Sequence, residues 1–188
     1  MTLKNLNIDK TWTLFLDRDG VINKKLDHDY VKHSTEFEFI DGVFNALRLL
    51  DGIFGTIVIV TNQQCIGKKI IYPEDLELIH KNMMYEINYM KGRIDKIYHS
   101  PYLATENHPT RKPSIGMAVQ AKQDFPNIDF SKSIIVGDSL SDMEFGRNAN
   151  MKTVYIADTV KQDDRIDYHF KSLIYFAHTL STITTVTN

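Results

Sequence analysis

Short apolar runs along the chain alternate with segments of helical periodicity. The runs are rich in β-branched and aromatic side chains and cover residues 12–16, 56–60, 94–98, 133–136 and 153–156. Continuous apolarity is typical of strands that are buried on both faces of a sheet. Alternation of such strands with helices predicts a parallel sheet with right-handed crossovers.

The segments between these runs predict helices. They would begin after Gly42, at Pro73, at Ser114 and at Ser139 or Ser141, and the last two would end near Gln123 and Asn150. A short edge strand over 168–170 and a closing helix over 172–180 complete the pattern, and the tail from residue 181 is expected to fray. The prediction is an α/β fold: a three-layer α/β/α sandwich with a central, mainly parallel sheet. We expect one domain over residues 1–188, with its core at about 12–180.

Composition excludes several classes of protein. With 43% hydrophobic and 24% charged residues the chain is of ordinary globular type, and its net charge of -2 counts against a nucleic-acid partner. The single cysteine, Cys65, cannot form an internal disulfide. The first ten residues lack the apolar run of a secretory signal, and no later window could span a membrane. We therefore expect a cytoplasmic protein without a membrane partner.

Polar residues directly follow three of the predicted strands. Parallel sheets bind ligands beyond the carboxyl ends of their strands, so these residues should meet at one rim. They are Asp17, Asp19, Thr61, Asn62, Gly137 and Asp138. This convergence predicts the position of a functional site.

The first of these segments offers two acids separated by one residue. In extended geometry Asp17 and Asp19 would share a face, and Gly20 permits a sharp turn after them. Two acids this close cannot both ionise cheaply without a cation, which favours one as a nucleophile and the other as a general acid/base. The alternative is a strand-end turn with solvated acids.

Two further segments offer groups that suit a phosphate. Thr61, Asn62 and Gln63 supply a hydroxyl and amides that can hydrogen-bond phosphate without adding charge, although a helix cap is the alternative. Arg111 and Lys112 place two cations before a helix start, where backbone N–H groups also favour an anion. For this pair the alternative is an ordinary solvated surface.

The fourth segment places two acids around a switch from strand to helix. Asp138 and Asp142 are four positions apart, and their ligand atoms are oxygens. Oxygen ligands at a strand end suit Mg²⁺ better than zinc. The segment therefore predicts Mg²⁺ as the cofactor.

In this order the four segments resemble the four motifs of the haloacid dehalogenase superfamily, from about Trp12 to Leu180. The resemblance implies that Asp17 attacks phosphorus to form an aspartyl-phosphate. It implies that Asp19 protonates the leaving oxygen and then activates the hydrolytic water. Each role is physically reasonable, because covalent catalysis divides one displacement into two easier steps.

The same resemblance implies the remaining roles at the site. Mg²⁺ would be held by Asp17, the backbone carbonyl of Asp19 and Asp138, with Asp142 orienting the metal site. Thr61 and Lys112 would bind the phosphoryl oxygens. The metal and the lysine would offset charge that otherwise repels a carboxylate nucleophile.

Longer stretches resemble one branch of that superfamily, the group that contains D-glycero-D-manno-heptose 1,7-bisphosphate phosphatase and histidinol-phosphate phosphatase. They cover residues 17–23, 30–31, 37–43, 61–63 and 111–113. The resemblance gives Arg111 a substrate-binding role and lets Asn62 and Gln63 line the pocket. The intervals between motifs leave little room for a cap domain, so specificity should come from the loops 23–36 and 100–110.

The chain departs from this group at two places. Members often carry a Cys/His zinc loop before the Arg-Lys-Pro segment, whereas this loop keeps only His99 and His108, which we interpret as loop residues; structural zinc is not expected. Gln64 and Cys65 stand where the group commonly has Ser-Gly. No partner that would activate Cys65 as a thiolate is evident from the sequence.

The sequence thus predicts a Mg²⁺-dependent phosphomonoester hydrolase for a small phosphorylated metabolite. The leading substrate class is a sugar phosphate such as D-glycero-D-manno-heptose 1,7-bisphosphate. Alternatives are a histidinol-phosphate phosphatase, a phosphatase for nucleic-acid ends, and a module that binds a phosphorylated ligand without catalysis. We expect a monomer, because no exposed apolar helix is obvious.

Overall fold

The computed structural model describes residues 3–185, and a parallel sheet lies at its centre. The strands are β1 (Thr13–Leu16), β2 (Thr56–Asn62), β3 (Lys96–Ser100), β4 (Ser133–Gly137), β5 (Lys152–Ile156) and β6 (Tyr168–Phe170). Their order is β3-β2-β1-β4-β5-β6, and each neighbouring pair is parallel. The chain first moves outward from β1 to β3 and then returns to β4 on the other side of β1, so β1 and β4 flank the switch point of the sheet.

Helices cover both faces of this sheet. They are α1 (Val43–Ile53), α2 (Gln64–Gly67), α3 (Pro73–Tyr89), α4 (Gly116–Asp124), α5 (Leu140–Asn148) and α6 (Leu173–Thr185). Side chains of β1 alternate between the two layers: Leu14 and Leu16 pack with residues of α1 and α6, and Phe15 packs with residues of α4 and α5. This arrangement confirms the predicted three-layer sandwich.

The observed strands follow the predicted runs closely, with one useful difference. β2 and β3 each end two residues later than predicted, because Thr61 pairs with His99 and Asn62 with Ser100, and β3 also begins two residues later. His99 therefore lies in a strand, and its interpretation as a loop residue was wrong. The extension carries the polar end of β2 to the rim of the sheet.

Two predicted helix boundaries were also wrong. Ser114 does not cap α4; the helix begins at Gly116, because a tight turn in which Ser114 N donates to Arg111 O precedes it. α6 continues to Thr185 rather than fraying from residue 181, since Ile183 adds to the apolar face that packs against the core. Residues 186–188 of the predicted tail lie outside the described residues. Ser139 does cap α5, with its hydroxyl accepting from Asp142 N.

Within residues 3–185 the connections between strands form no inserted cap domain. The cavity at the carboxyl ends of the strands is therefore covered only by loops. None of the helices in that range is both long and apolar enough to span a membrane. The single domain over residues 1–188 stays a prediction.

Candidate active site

A cavity of about 240 Å³ opens at the carboxyl ends of β1, β2 and β4. The predicted site residues reach it from four separate parts of the chain. All nine line it: Asp17, Asp19, Thr61, Asn62, Gln63, Arg111, Lys112, Asp138 and Asp142. The convergence expected from strand-end positions is confirmed.

Lys112 is the buried cation of the site and is only 3% exposed. Its Nζ lies 2.8 Å from Asp17 Oδ1 and 2.5 Å from Asp142 Oδ1, and it donates to Val60 O at 2.7 Å. Burial alone would lower the pKa of Lys112, but the charges of Asp142 and Asp17 outweigh burial and raise that pKa. Lys112 therefore carries a fixed positive charge beside Asp17.

Asp17 sits in an environment that opposes its ionisation. Burial and the charge of Asp142 raise its pKa to about 7, and the neighbouring Lys112 only partly compensates. The amide N–H of Arg18 donates to Asp17 Oδ1 at 2.8 Å and fixes the direction of the carboxyl group. Asp17 will thus ionise fully at neutral pH only when further positive charge approaches it.

Three carboxylates form a cluster in which such a charge fits. Asp17, Asp138 and Asp142 each offer one oxygen, and these oxygens lie within 4.8 Å of one another. The set contains no sulfur or nitrogen ligand, which suits Mg²⁺ rather than zinc. Gly20 makes room for the cluster, because its φ is +84° and a Cβ there would lie 2.3 Å from Asp138 Oδ2.

Asp19 has the opposite environment to Asp17. Arg18 Nη2 donates to both of its carboxylate oxygens at 2.9 and 3.0 Å, and Asn23 and Gln63 donate to it at 2.9 and 2.8 Å. Burial opposes its ionisation, but Arg18 and these hydrogen bonds outweigh burial and lower the pKa of Asp19. Its side chain is not part of the carboxylate cluster, so a metal-binding role for its backbone carbonyl stays a prediction.

The residues after β2 hold the site together. Asn62 Oδ1 accepts from Lys112 N at 3.0 Å and Asn62 Nδ2 donates to Lys112 O at 3.1 Å, so this amide clamps the backbone that carries the lysine. Thr61 is buried, and its hydroxyl accepts from Gln63 Nε2 at 2.9 Å. α2 has no side-chain cap bond at Gln63, so the helix-cap alternative for this segment was wrong.

Arg111 is held by the loop that precedes it. Its Nη1 donates to Tyr102 O at 2.9 Å, and the Tyr102 ring stacks on His108 with centroids 3.3 Å apart. His108 Nδ1 lies 2.8 Å from Thr110 Oγ1, which closes the loop on itself. Residues 100–110 do not line the cavity; they position Arg111, which does. By contrast, the loop 23–36 reaches the cavity directly.

Several residues at the site were not predicted from the sequence. Lys25 lies 2.6 Å from Asp138 Oδ2, and Tyr30 also lines the cavity. No local pattern marks the Lys25 contact, because its partner directly follows a strand that is distant in sequence. For Arg18 the sequence did offer a signal, because this cation stands between two carboxylates. In the structure Arg18 is only 1% exposed.

Comparisons with known proteins support the same chemistry. A family model described as polynucleotide kinase 3 phosphatase matches residues 13–181. D-glycero-α-D-manno-heptose-1,7-bisphosphate 7-phosphatase of Campylobacter jejuni is 39% identical over 87% of this chain and 92% of its own length. The β-anomer 7-phosphatase of Escherichia coli is 36% identical over 79% of this chain and 80% of its own.

The chain belongs to the family described as polynucleotide kinase 3 phosphatase. Within the haloacid dehalogenase superfamily, it falls in the heptose bisphosphate phosphatase group. It is a phosphoric monoester hydrolase, so the alternative of a binding module without catalysis was wrong. The fold agrees with this phosphatase family. The structure of D,D-heptose 1,7-bisphosphate phosphatase from B. bronchiseptica, complexed with magnesium and phosphate, superposes with a TM-score of 0.82 at 24% identity, covering 91% of this chain and 98% of the other.

Proposed function

We propose that the chain hydrolyses D-glycero-D-manno-heptose 1,7-bisphosphate at its 7-phosphate, with Asp17 as the covalent nucleophile and Mg²⁺ as cofactor. The observation that carries this proposal is the position of Asp17, which contacts the buried Lys112 and belongs to the carboxylate cluster. A carboxylate nucleophile must approach a phosphate that carries the same sign of charge. Positive charge on both sides of Asp17 offsets that repulsion.

In the first step a bond forms between an Asp17 carboxylate oxygen and phosphorus, and the phosphorus–oxygen bond to the sugar breaks. Asp19 gives its proton to the leaving sugar oxygen, which departs as an alcohol. The lowered pKa of Asp19 makes it a carboxylate in the free protein. The charge of an entering phosphate would raise that pKa, and Asp19 would then take up a proton from solvent before the step. Lys112 and Thr61 hold the phosphoryl oxygens.

In the second step the Asp19 carboxylate takes a proton from water, and that water attacks the phosphorus of the aspartyl-phosphate. The bond between Asp17 and phosphorus breaks, inorganic phosphate leaves, and both acids are ready for another cycle. Asp17, Asp138 and the Asp19 backbone carbonyl would hold Mg²⁺, with Asp142 orienting the site. Bound Mg²⁺ neutralises charge on the carboxylates and phosphoryl oxygens.

The substrate is proposed from the relatives and from the charge of the cavity. The named relatives are 7-phosphatases of the α and β anomers of this heptose bisphosphate. Arg111 and Lys25 add two cations to the cavity wall, which suits a sugar that carries a second phosphate. We also propose a cytoplasmic monomer, in which loops alone enclose the substrate.

A substrate panel tests this proposal. We expect the highest kcat/KM for one anomer of the heptose 1,7-bisphosphate. Histidinol phosphate and a 3′-phosphorylated oligonucleotide should be at least ~100-fold lower, because neither presents the 1-phosphate of the heptose to Arg111 and Lys25. The oligonucleotide belongs in the panel because of the description of the matching family model. Preferential turnover of the oligonucleotide, or of histidinol phosphate, would overturn the proposed substrate. The net charge of -2 argues for the sugar.

Removal of Asp138 should weaken Mg²⁺ binding. Asp138→Asn keeps the shape of the side chain but removes one of the three clustered charges, and we expect at least ~10-fold weaker Mg²⁺ binding by calorimetry. Asp158→Asn on the surface is the matched control and should bind Mg²⁺ as the wild type does. Equal affinity of the Asp138 variant and the wild type would show that the cluster is not the metal site.

A further inference from the structure

A buried arginine and a buried histidine form a chain of contacts that ends at Asp19. Arg18 Nη2 contacts both oxygens of Asp19, and Arg18 Nη1 lies 3.1 Å from His80 Nε2. Arg18 is 1% exposed and His80 is 9% exposed. His80 comes from the middle of α3, so this contact ties a helix of the outer layer to the acid at the rim.

The direction of the hydrogen bond between these two side chains follows from their chemistry. A guanidinium group can only donate, so His80 Nε2 must accept, and the ring proton must sit on Nδ1. Burial, the charge of Arg18 and the neighbouring His99 lower the pKa of His80 to about 3, so the ring is neutral at physiological pH. The His99 ring, 6.0 Å from that of His80, packs edge-on against it.

We propose that His80 is a positioning residue, which fixes the Arg18 guanidinium and through it the Asp19 carboxyl group at the leaving oxygen. This inference rests on the proposed general-acid role of Asp19. Asn23 and Gln63 each hold one oxygen of Asp19, whereas Arg18 alone among its described partners contacts both. The orientation of the carboxyl group therefore depends most on where Arg18 is held. Arg18 Nε is already buried without a hydrogen-bond partner. Loss of the acceptor at Nη1 would leave a second buried donor unpaired, so the guanidinium could turn away from Asp19.

Two phosphate esters with different leaving groups can distinguish a positioning role of His80 from a packing role. When phosphorus bonds to Asp17, the oxygen of a sugar phosphate must receive a proton to leave, and Asp19 supplies it. The oxygen of p-nitrophenyl phosphate leaves as a stable anion and needs no proton. Misplacement of Asp19 should therefore slow the first step for the sugar ester alone.

We would measure kcat/KM of His80→Leu and His80→Gln with both esters at saturating Mg²⁺. We expect kcat/KM of His80→Leu to fall ~10-fold or more with the heptose bisphosphate, a loss typical of a small displacement of a catalytic group. With p-nitrophenyl phosphate it should fall less than ~2-fold. His80→Gln should recover most of the loss, because its amide oxygen can reach the position of Nε2 and accept from Arg18. Equal losses with both esters, or no rescue by Gln, would overturn the proposal.

A second polar variant covers the case in which Leu prevents folding. His80→Asn has the polarity of Gln but a shorter reach, so it should lose activity selectively as Leu does; an Asn variant as active as Gln would contradict the role of the Arg18 contact. His178→Leu, on the exposed face of α6, is the matched control and should behave as the wild type. Failure of the proposed function is separate, because the wild type itself would then fail to hydrolyse the heptose bisphosphate.

Discussion

Replacing Asp17 by Asn is expected to reduce kcat by at least ~10⁴-fold with every phosphate ester, because the variant has no carboxylate to attack phosphorus. The fold should survive. Asn keeps an oxygen that can accept from Arg18 N, and Lys112 retains Asp142 and the Val60 carbonyl as partners. Loss of a buried carboxyl group whose pKa is raised to about 7 also removes an unfavourable charge at alkaline pH.

Phosphate release measures the activity of this variant, thermal unfolding measures its fold, and an acid quench detects the phosphoprotein intermediate. The wild type, quenched in acid during turnover of labelled substrate, should carry phosphate on the protein, and the Asn variant should carry none. Asp158→Asn is the surface control and should keep full activity. A labelled phosphoprotein formed by the Asp17 variant would show that another residue is the nucleophile.

Replacing Lys112 by Met is expected to affect both activity and stability. Removing one partner of a buried ion pair leaves uncompensated charge and typically costs about 3 to 5 kcal/mol of unfolding free energy. Here two carboxylates, Asp17 and Asp142, would lose their common cation. We also expect kcat to fall by at least ~10³-fold, because the phosphoryl group loses its fixed positive charge.

The stability loss of the Lys112 variant should depend on pH and on Mg²⁺. The folded pKa of Asp17 is already raised above its unfolded value of 3.8 to about 7, and loss of Lys112 raises it further. A group with a raised folded pKa stabilises the protein below its unfolded pKa and loses that contribution as pH rises through its folded pKa. The difference in unfolding free energy between the Lys112 variant and the wild type should therefore grow above pH 7 and shrink when Mg²⁺ is added.

Urea unfolding of Lys112→Met and wild type between pH 6 and 9, with and without Mg²⁺, measures this effect. Lys96→Met is the control, because Lys96 is half-exposed and pairs with the exposed Asp124. Its unfolding free energy should change by less than ~1 kcal/mol. A Lys112 deficit that is the same at every pH would mean that lost packing, rather than uncompensated charge, causes it.

The sequence was sufficient to predict which residues lie at the carboxyl edge of the sheet. A buried parallel strand is recognisable from its own residues, and the residues that follow it must emerge at the carboxyl edge. Asp17, Thr61 and Asp138 were therefore placed by local pattern alone. Their neighbours Asp142 and Lys112 followed from the adjacent helix start and from the motif resemblance.

Local sequence pattern could not predict the contacts between segments that are distant along the chain. The role of Asn62 as a clamp on Lys112 depends on the register between β2 and the turn before α4. His80 looks like any other polar position on α3 until the helix is docked and the ring meets Arg18. Lys25 reaches Asp138 only because the loop after β1 folds back over the sheet. Each depends on packing rather than on propensity.

The loop before Arg111 is held by the Tyr102 carbonyl and by the stacked rings of Tyr102 and His108. A loop closed by thiolates around zinc would depend on the supply of that metal and on a reducing environment. Stacked rings and a carbonyl depend on neither. We therefore expect Arg111 to keep its position when zinc is scarce or oxidants are present.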